Sequence, residues 1–380
     1  MIGAGVMGGD IAAWCAAKGL QVTLEDQSPE RIAPAIKRAY GLFRRRFKRT
    51  RPVQEAMDRL MPDHTGLGVA RADVVIEAIF EDADAKRALY ARLEPRMKDG
   101  ALLATNTSSI PLQELRTGLV RPECLIGLHF FNPVAKMQLV EIVRDAETGP
   151  DVVARAIAFA RLIDRLPLPV SSTPGFLVNR ILLPYLLEAV ELENEGVPPV
   201  EIDRAAVDFG MPMGPIELAD TVGLDICLHV GDILAQHLGG EVPQRLRDLV
   251  SKGSLGRKSG QGFYRYRKGK PVKPLARKDY RPAADITDRM VLRMLNEVVT
   301  CLREKVVDDA GHLDAGMVFG TGFAPFRGGP LHYIETEGED TLLERLRGLE
   351  KRYGPRFEPD AGWGDVAGFR SGDPDYGQQA

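Results

Sequence analysis

Hydrophobic and polar residues in the first half of the chain follow a pattern that predicts strands alternating with helices. Apolar runs rich in β-branched residues predict strands at "LQVTLED", "ADVVIEAI", "GALLATNTSS", "CLIGLHFFNPV" and "MQLVEIVR". A helical pattern precedes each of the first three: an alanine-rich stretch that ends at Gly19, a charged stretch over 28–60 and a third over 84–97. This order predicts a mostly parallel sheet with helices on both faces.

From Phe176 onward the apolar residues recur at helical spacing, beginning with "LVNRILLPYLLEAVELENEG". A connector rich in Pro, Lys and Arg, "RYRKGKPVKPLARKDYRP", separates this region from a further helical segment near Ile286. The composition of the last dozen residues, rich in Gly, Asp and Gln, is typical of a disordered tail. We therefore predict an α/β domain over 1–172, a helical domain over 173–268, a linker over 269–284, a second helical domain over 285–368 and a disordered tail over 369–380.

The second helical domain is predicted to be a diverged copy of the first. The matching positions, in chain order, are Asn179-Arg180 with Asp288-Arg289, Glu188 with Glu297, Phe209-Gly210 with Phe319-Gly320, and Gly214-Pro215 with Gly329-Pro330. Each match is weak alone, but their common order and similar spacing indicate a duplicated helical unit.

Composition and charge narrow the class of protein. The 380 residues are 44% hydrophobic and 27% charged, with a formal net charge of -3, which is typical of a soluble chain of two or three domains. This balance argues against a nucleic-acid partner. One basic run stands out over 44–51, "RRRFKRTR", and it has two interpretations: a solvated helix face, or a site for the anionic phosphates of a substrate.

The cysteines and the apolar runs predict a cytoplasmic protein. Cys15, Cys124, Cys227 and Cys301 lie far apart and form no C-x-x-C pair, so neither a disulfide framework nor a metal site is predicted. Met1 runs directly into a glycine-rich turn without a signal-peptide pattern, and no apolar run approaches the ~20 residues of a membrane span.

The first ten residues, "MIGAGVMGGD", contain a G-x-G-x-x-G spacing at Gly3, Gly5 and Gly8. In a dinucleotide-binding domain such glycines join a strand to a helix, and an acidic residue about 20 positions later binds the ribose 2′-hydroxyl. Asp26, or Glu25 beside it, holds that place and favours NAD, because a carboxylate repels the 2′-phosphate of NADP. Only Met1 and Ile2 precede the turn, so we hypothesise that the chain is a fragment, or a mis-set start, of a longer protein. The truncated first strand is expected to leave its neighbours short of hydrogen-bond partners.

Polar residues follow two of the predicted strands at the edge where an open α/β sheet binds ligands. Asn106 and Ser108 in "TNTSS" are candidates for polar contacts, although such a stretch is also typical of an ordinary helix cap. His129 ends a strongly apolar strand, and histidine readily exchanges a proton near neutral pH. A short connection through Asn132 and Pro133 returns the chain so that Glu141 on the next strand is expected beside the imidazole.

Five stretches together resemble the L-3-hydroxyacyl-CoA dehydrogenase family: "GAGVMGGDIA", "TNTSS", "HFFNPV", "PGFLVNR" and "GMPMGPIELAD". The resemblance covers most of the chain. It implies an α/β Rossmann-type dinucleotide-binding domain, here with a truncated first strand, followed by two related all-α C-terminal domains. The last segment, with "GFAPFRGGPLHY", is similar to the second C-terminal unit of large multifunctional fatty-acid β-oxidation proteins, in which an enoyl-CoA hydratase half precedes the dehydrogenase.

The resemblance also implies roles for single residues. The family's catalytic histidine and partner glutamate fall on His129 and Glu141, and its active-site serine and asparagine fall on Ser108 and Asn179, which with Asn132 are expected to contact substrate. The positions implied to contact NAD are Gly3, Gly5, Gly8, Asp26, Glu81, Lys86 and Asn106. Asp288 replaces the asparagine in the last segment, so that copy is expected to be structural and to cover the surface that a second subunit covers in shorter relatives.

The resemblance predicts NAD-dependent oxidation of an L-3-hydroxyacyl-CoA to the 3-ketoacyl-CoA, with His129 as general base. Acyl-CoA is the implied substrate, and a thiolase subunit and an enoyl-CoA hydratase module are the implied partners. Two alternatives stay open: a short-chain 3-hydroxybutyryl-CoA dehydrogenase, and an inactive CoA-ester-binding or assembly subunit, which the truncated first strand favours.

Overall fold

The computed structural model describes residues 1–274 and 283–371, and the chain divides into two compact units at Thr173 and Pro174. The strands of the first unit are β1 (Val22–Leu24), β2 (Leu60–Pro62), β3 (Val74–Glu77), β4 (Leu102–Thr105), β5 (Leu125–Phe130), β6 (Leu139–Arg144) and β7 (Leu166–Ser171). Its α-helices are α1 (Val6–Ala17), α2 (Pro29–Phe47), α3 (Thr50–Asp58), α4 (Ala83–Leu93), α5 (Leu112–Leu115) and α6 (Pro150–Leu162).

The second unit is mainly helical. Its elements are α7 (Val178–Asn194), α8 (Pro199–Phe209), α9 (Pro215–Val222), α10 (Leu224–Leu238), α11 (Gln244–Ser251), the hairpin β8 (Arg265–Arg267) and β9 (Lys270–Val272), α12 (Ile286–Arg303), α13 (Ala310–Thr321), α14 (Pro330–Glu337), α15 (Glu339–Tyr353) and α16 (Val366–Ser371). In the described part of the chain, no helix combines the length and the apolar character that crossing a membrane requires.

The sheet of the first unit is mostly parallel, with one antiparallel pair. Its five main strands lie in the order β3-β4-β5-β6-β7, and only β5 and β6 run antiparallel. Strand β7 lies at the edge. At the two ends of its pairing with β6, Leu166 N donates to the Gln138 carbonyl and Ser172 N donates to the Arg144 carbonyl. Pro167 and Pro169 occupy the alternate positions, and because proline has no N–H to donate, they suit the outer edge of a sheet.

Residues at the start of the chain join this sheet to the β1-β2 pair. Ile2 forms parallel bridges to Glu25 beyond β1 and to Glu77 of β3. Four backbone hydrogen bonds of 2.8 Å, from Ile2, Gly3, Glu25 and Ala78, link the three segments. The segments on both sides of Ile2, at β1 and at β3, therefore have backbone partners here. The sequence predicted that they would lack them.

Helix α1 is buried on two faces and holds the layers of the first unit together. Ile11, Trp14 and Cys15 belong to the core cluster formed with β3 to β6 and α6. On its other face, small residues pack against α2, where a Cβ added at Gly9 would lie 2.7 Å from the Cβ of Ala35. The alanine-rich sequence of α1 thus permits close contact between helices.

The two helical segments of the second unit have corresponding features. Gly210 and Gly322, with φ of +119° and +76°, end α8 and α13 in the left-handed conformation that favours glycine. Asp203 and Asp314 accept hydrogen bonds from the first residues of α9 and α14, at 2.9 Å from Ile216 N and 2.7 Å from Leu331 N. The predicted match of Gly210 with Gly320 is wrong by two positions, because Gly320 lies inside α13.

Two predicted boundaries fall inside regular structure. Strand β9 occupies part of the predicted linker over 269–284, and 275–282 lie outside the described residues. Helix α16 continues to Ser371, past the predicted start of the tail at 369, and 372–380 also lie outside the described residues.

Candidate active site

In the turn between Ile2 and α1, a different local geometry accounts for glycine at each of the three positions. Gly3 has a φ of +95°, and an added Cβ would lie 2.5 Å from the carbonyl oxygen of Ala78. At Gly8 an added Cβ would lie 1.9 Å from the carbonyl oxygen of Gly3, so α1 contacts the turn directly. At Gly5 the same Cβ would meet nothing within 4 Å, which leaves open space at the N-terminus of α1. Backbone N–H groups and the helix dipole favour an anionic group there.

The side chain of Asp26 contacts this turn, whereas the side chain of Glu25 contacts a different segment. The Oδ2 atom of Asp26 accepts a hydrogen bond of 2.7 Å from Ala4 N within the turn. The Glu25 carboxylate packs instead against Gly66, where a Cβ would lie 2.9 Å from Oε2. Burial raises the pKa of Glu25, and the nearby Asp63 raises it further. Of the two acids, Asp26 is therefore the one whose side chain contacts the glycine turn, and its contact with a ribose hydroxyl stays a prediction.

Glu77, at the end of β3, is a buried carboxylate that the sequence analysis missed. Its Oε1 accepts hydrogen bonds from Lys86 Nζ at 2.6 Å and Ile79 N at 2.7 Å. Its Oε2 accepts from Tyr90 OH at 2.7 Å and Thr105 Oγ1 at 2.9 Å. An acid inside the apolar run "ADVVIEAI" was the available signal, because a buried carboxylate requires partners.

The predicted NAD contact Lys86 lies within this buried cluster. Neither Lys86 nor Glu77 is exposed to solvent, and the Lys86 Nζ lies 3.5 Å from Glu81 Oε2 in addition to its contact with Glu77. Lys86 thus joins α4 to β3 through its ion pair with Glu77. Its contact with a cofactor stays a prediction.

Glu81 ties the segment after β3 to the "TNTSS" loop after β4. Its Oε1 accepts hydrogen bonds from Thr107 Oγ1 at 2.6 Å and Ser108 N at 2.8 Å, with Ser109 Oγ at 3.2 Å. Burial acts to raise the pKa of Glu81, but the Lys86 charge and these hydrogen bonds outweigh it and lower the pKa. An ionised Glu81 therefore fixes the loop that presents Ser108.

Asn106 connects the same loop to the strand that carries His129. Its Oδ1 accepts a hydrogen bond of 2.9 Å from Phe130 N, and its own N–H donates to the Glu77 carbonyl at 2.8 Å. The ends of β3, β4 and β5 are thus held together by side chains at the edge where the sequence placed the candidate site.

His129 and Glu141 form the central pair of the site. They face each other across the antiparallel β5-β6 pair, and His129 Nδ1 lies 2.6 Å from Glu141 Oε2. The His129 side chain is 7% exposed and that of Glu141 is not exposed, so water screens their attraction very little. The Phe131 ring packs against the imidazole with 4.6 Å between ring centroids. A carboxylate so placed fixes the tautomer and orientation of the histidine.

Three further candidates belong to other segments of the chain. Asn132 is exposed in the turn between β5 and β6 and precedes Pro133 through a cis peptide bond. Asn179 belongs to the second unit, in the first turn of α7, and its role stays a prediction. The basic run over 44–51 is exposed at the end of α2 and the start of α3, where Arg51 pairs with Glu55 at 2.9 Å.

Comparison with known proteins decides the family. Residues 1–173 match the NAD-binding domain of 3-hydroxyacyl-CoA dehydrogenase, and residues 175–266 match its C-terminal domain. The chain belongs to the 3-hydroxyacyl-CoA dehydrogenase family. Its first unit is therefore the family's NAD-binding Rossmann-type domain, and helices of the family's C-terminal domain follow it.

Three relatives show the extent of the similarity. The fatty acid oxidation complex subunit alpha of Shewanella baltica (strain OS185) is 39% identical over 94% of this chain, and the match spans 53% of that protein. The crystal structure of 3-hydroxybutyryl-CoA dehydrogenase from Escherichia coli K12 matches 98% of each chain with a TM-score of 0.85 and 28% identity. That of FadB2 from M. tuberculosis matches 70% of this chain and 97% of its own, with a TM-score of 0.68 and 35% identity. The chain spans about half the length of the curated relatives it matches.

Proposed function

We propose that this chain oxidises an L-3-hydroxyacyl-CoA to the 3-ketoacyl-CoA with NAD as the electron acceptor. The observation that carries the proposal is the 2.6 Å contact between His129 Nδ1 and Glu141 Oε2, inside a unit that matches the family's NAD-binding domain. An imidazole held by a carboxylate is suited to take the proton of a hydroxyl group during its oxidation.

His129 acts as the general base in the proposed reaction. Its Nδ1–H donates to Glu141, so Nε2 is the ring nitrogen that accepts the proton of the substrate's 3-hydroxyl. The imidazolium formed in this step is stabilised by the Glu141 carboxylate across the buried strand pair. Bound NAD supplies the hydride acceptor.

Ser108 and Asn179 hold the substrate oxygens, in the roles that the family resemblance implies for them. Hydrogen-bond donors at these positions favour the negative charge that develops on the 3-oxygen as its proton leaves. Glu81 supports this role, because it fixes the loop backbone at Ser108 through a hydrogen bond of 2.8 Å. Asn132, at the exposed turn after β5, is proposed as a further substrate contact.

The residues around the glycine turn fit NAD. The open space at Gly5 lies at the N-terminus of α1, where a pyrophosphate is favoured, and Asp26 is placed for the ribose 2′-hydroxyl. The Glu81 and Asn106 side chains line the neighbouring strand ends. These residues would hold the cofactor beside His129.

The proposed partners are those of a β-oxidation assembly. The Shewanella baltica relative is named as subunit alpha of a fatty acid oxidation complex, which supports acyl-CoA substrates and association with a thiolase subunit and an enoyl-CoA hydratase module. The similarity to the Escherichia coli enzyme favours a more specific alternative, in which the substrate is the short-chain 3-hydroxybutyryl-CoA.

The test is formation of NADH, followed at 340 nm, from NAD and L-3-hydroxyacyl-CoA substrates of increasing acyl length. The proposal expects turnover by the wild-type chain and a loss of at least ~10² in kcat for His129→Ala, with NADH binding retained. His312→Ala, which removes an exposed imidazole of the second unit, is the matched control and should keep wild-type turnover. A folded wild-type chain that binds NADH without turnover would support the inactive-subunit alternative, and a preference for four-carbon substrates would support the short-chain one.

A further inference from the structure

Two clusters of ion pairs around buried arginines join α7 to α12, and each copy of the duplicated unit supplies the arginine of one cluster. Arg180 of α7 donates from Nε to Glu297 Oε1 at 2.6 Å, and its Nη1 lies 2.7 Å from Glu304 Oε2 as a charge contact. Arg289 of α12 donates to Glu188 Oε1 at 2.7 Å and to Glu195 Oε2 at 2.6 Å. Both arginines are almost fully buried, with exposures of 2% and 3%.

The four carboxylates occupy matching positions in the two copies. Glu188 and Glu195 follow Asn179 at the same spacing at which Glu297 and Glu304 follow Asp288. Each arginine is therefore held by the two glutamates of the other copy. Glu188 has additional partners in Arg293 at 3.4 Å and Arg356 at 3.0 Å, so its cluster holds at least as much charge as that of Glu297.

The clusters differ in the residue that precedes the arginine. Asn179 precedes Arg180, whereas Asp288 precedes Arg289 and is itself paired with Arg345 at 2.8 Å. The carboxylate of Asp288 is thus used within the helical unit. Only the Arg180 cluster adjoins a residue that the proposed reaction uses.

The start of α7 is held firmly on its N-terminal side. Phe176 has a φ of +54°, which a residue other than glycine adopts only when its surroundings hold it there. Phe176, Leu177 and Val178 are buried, and Arg180 N lies 3.3 Å from the Gly175 carbonyl oxygen. Arg180 thus carries both a backbone contact to the preceding turn and a side chain anchored in α12.

We infer that Glu297 and Glu304 are positioning residues for the reaction, because they hold Arg180 and thereby fix Asn179 at the start of α7. The last helical segment then serves the chemistry in addition to covering a surface of α7. This inference rests on the proposed function, since Asn179 has a role to position only if the chain carries out that reaction.

The duplication provides a matched control for the test. Glu297→Gln and Glu188→Gln each remove one negative charge from equivalent clusters, and Glu188 is not placed in the catalytic machinery. We expect Glu297→Gln to lower kcat at least ~10-fold with the KM for NAD unchanged, because a small displacement of a substrate-positioning group is costly. Glu188→Gln should keep kcat within twofold of wild type, even if its melting temperature falls as far as that of Glu297→Gln.

A second pair of variants protects the test against loss of folding. Glu304 and Glu195 are more exposed, at 35% and 41%, so Glu304→Gln and Glu195→Gln are expected to fold. Glu304→Gln should lower kcat several-fold and Glu195→Gln should not. Assays are run on the full chain below the lowest melting temperature of the set.

The outcomes separate the inference from the function on which it rests. Equal kcat values within each matched pair, in an active wild-type background, would overturn the inference and leave the proposed function standing. Absence of turnover in a folded wild-type chain would overturn both, because no catalytic role of Asn179 would remain.

Discussion

Glu77 shows how one buried carboxylate organises its surroundings at the residue scale. It accepts hydrogen bonds from α4, β4 and the segment after β3, so its two oxygens tie together three neighbouring parts of the sheet edge. Such a charge is stable in the core only because Lys86 compensates it and hydroxyl groups satisfy its remaining lone pairs.

Loss of Lys86 should therefore destabilise the first unit. Lys86→Met leaves Glu77 buried without its counter-charge, and we expect the free energy of unfolding to fall by about 3–5 kcal/mol. Urea denaturation measures this effect, with Lys252→Met at an exposed lysine as the control. An unchanged stability combined with a raised KM for NAD would contradict the structural role and favour a direct cofactor contact.

At the scale of elements, the second unit uses aspartates of one helix to cap the next. Asp203 of α8 and Asp314 of α13 accept from the N-termini of α9 and α14. Gly214 and Gly329 leave room for these carboxylates, because a Cβ at either glycine would lie 2.2–2.4 Å from the aspartate side chain. The matched Gly-Pro pairs in the sequence thus mark the two helix N-termini that these aspartates cap.

Both caps should contribute to the stability of the second unit. Asp314→Ala removes a cap and should lower the free energy of unfolding by about 1–2 kcal/mol. Asp203 also accepts a hydrogen bond from the buried Tyr264 hydroxyl at 2.8 Å, so Asp203→Ala should cost a further ~1–3 kcal/mol. Chemical denaturation compares both with Asp208→Ala, an exposed aspartate of α8. A loss of less than about 1 kcal/mol for Asp203→Ala would contradict this account.

At the scale of the whole molecule, the chain has two units with separate tryptophan probes. Trp14 lies in the core of the first unit, where its Nε1 donates to the Ile163 carbonyl at 2.8 Å. Trp363 lies in the second, with Nε1 donating to Asn296 Oδ1 at 2.8 Å. The chain has only these two tryptophans. Each unit can therefore be followed by fluorescence when the other tryptophan is replaced.

NAD should stabilise the first unit, as followed by Trp14 emission in a Trp363→Phe chain. At 100 times its Kd, a ligand that binds only the folded state adds about 2.7 kcal/mol to the free energy of unfolding. NADP at the same concentration should add less, because the Asp26 carboxylate repels its 2′-phosphate. Gly8→Ala, in which the new Cβ meets the Gly3 carbonyl, should abolish the shift. Equal protection by NAD and NADP would contradict the role of Asp26.

Much of the first unit followed from short-range patterns in the sequence. The glycine turn, the strand that precedes Asp26 and the hairpin that pairs His129 with Glu141 each depend on residues close in sequence. In the hairpin, an apolar pattern and a short connection were enough to place Glu141 opposite His129. Strand β7 was not predicted, because its two prolines disfavour a strand anywhere except at a sheet edge.

The remaining features required the tertiary structure. The sequence by itself showed a resemblance to the family and predicted the alternation of strands and helices, the duplicated helical unit and the candidate residues. It did not reveal that Lys86 faces Glu77, or that each buried arginine of the duplicated unit pairs with glutamates of the other copy. The physical reason is that a buried charge is stabilised by whichever opposite charge folding brings within a few ångströms, and chain spacing does not encode that choice.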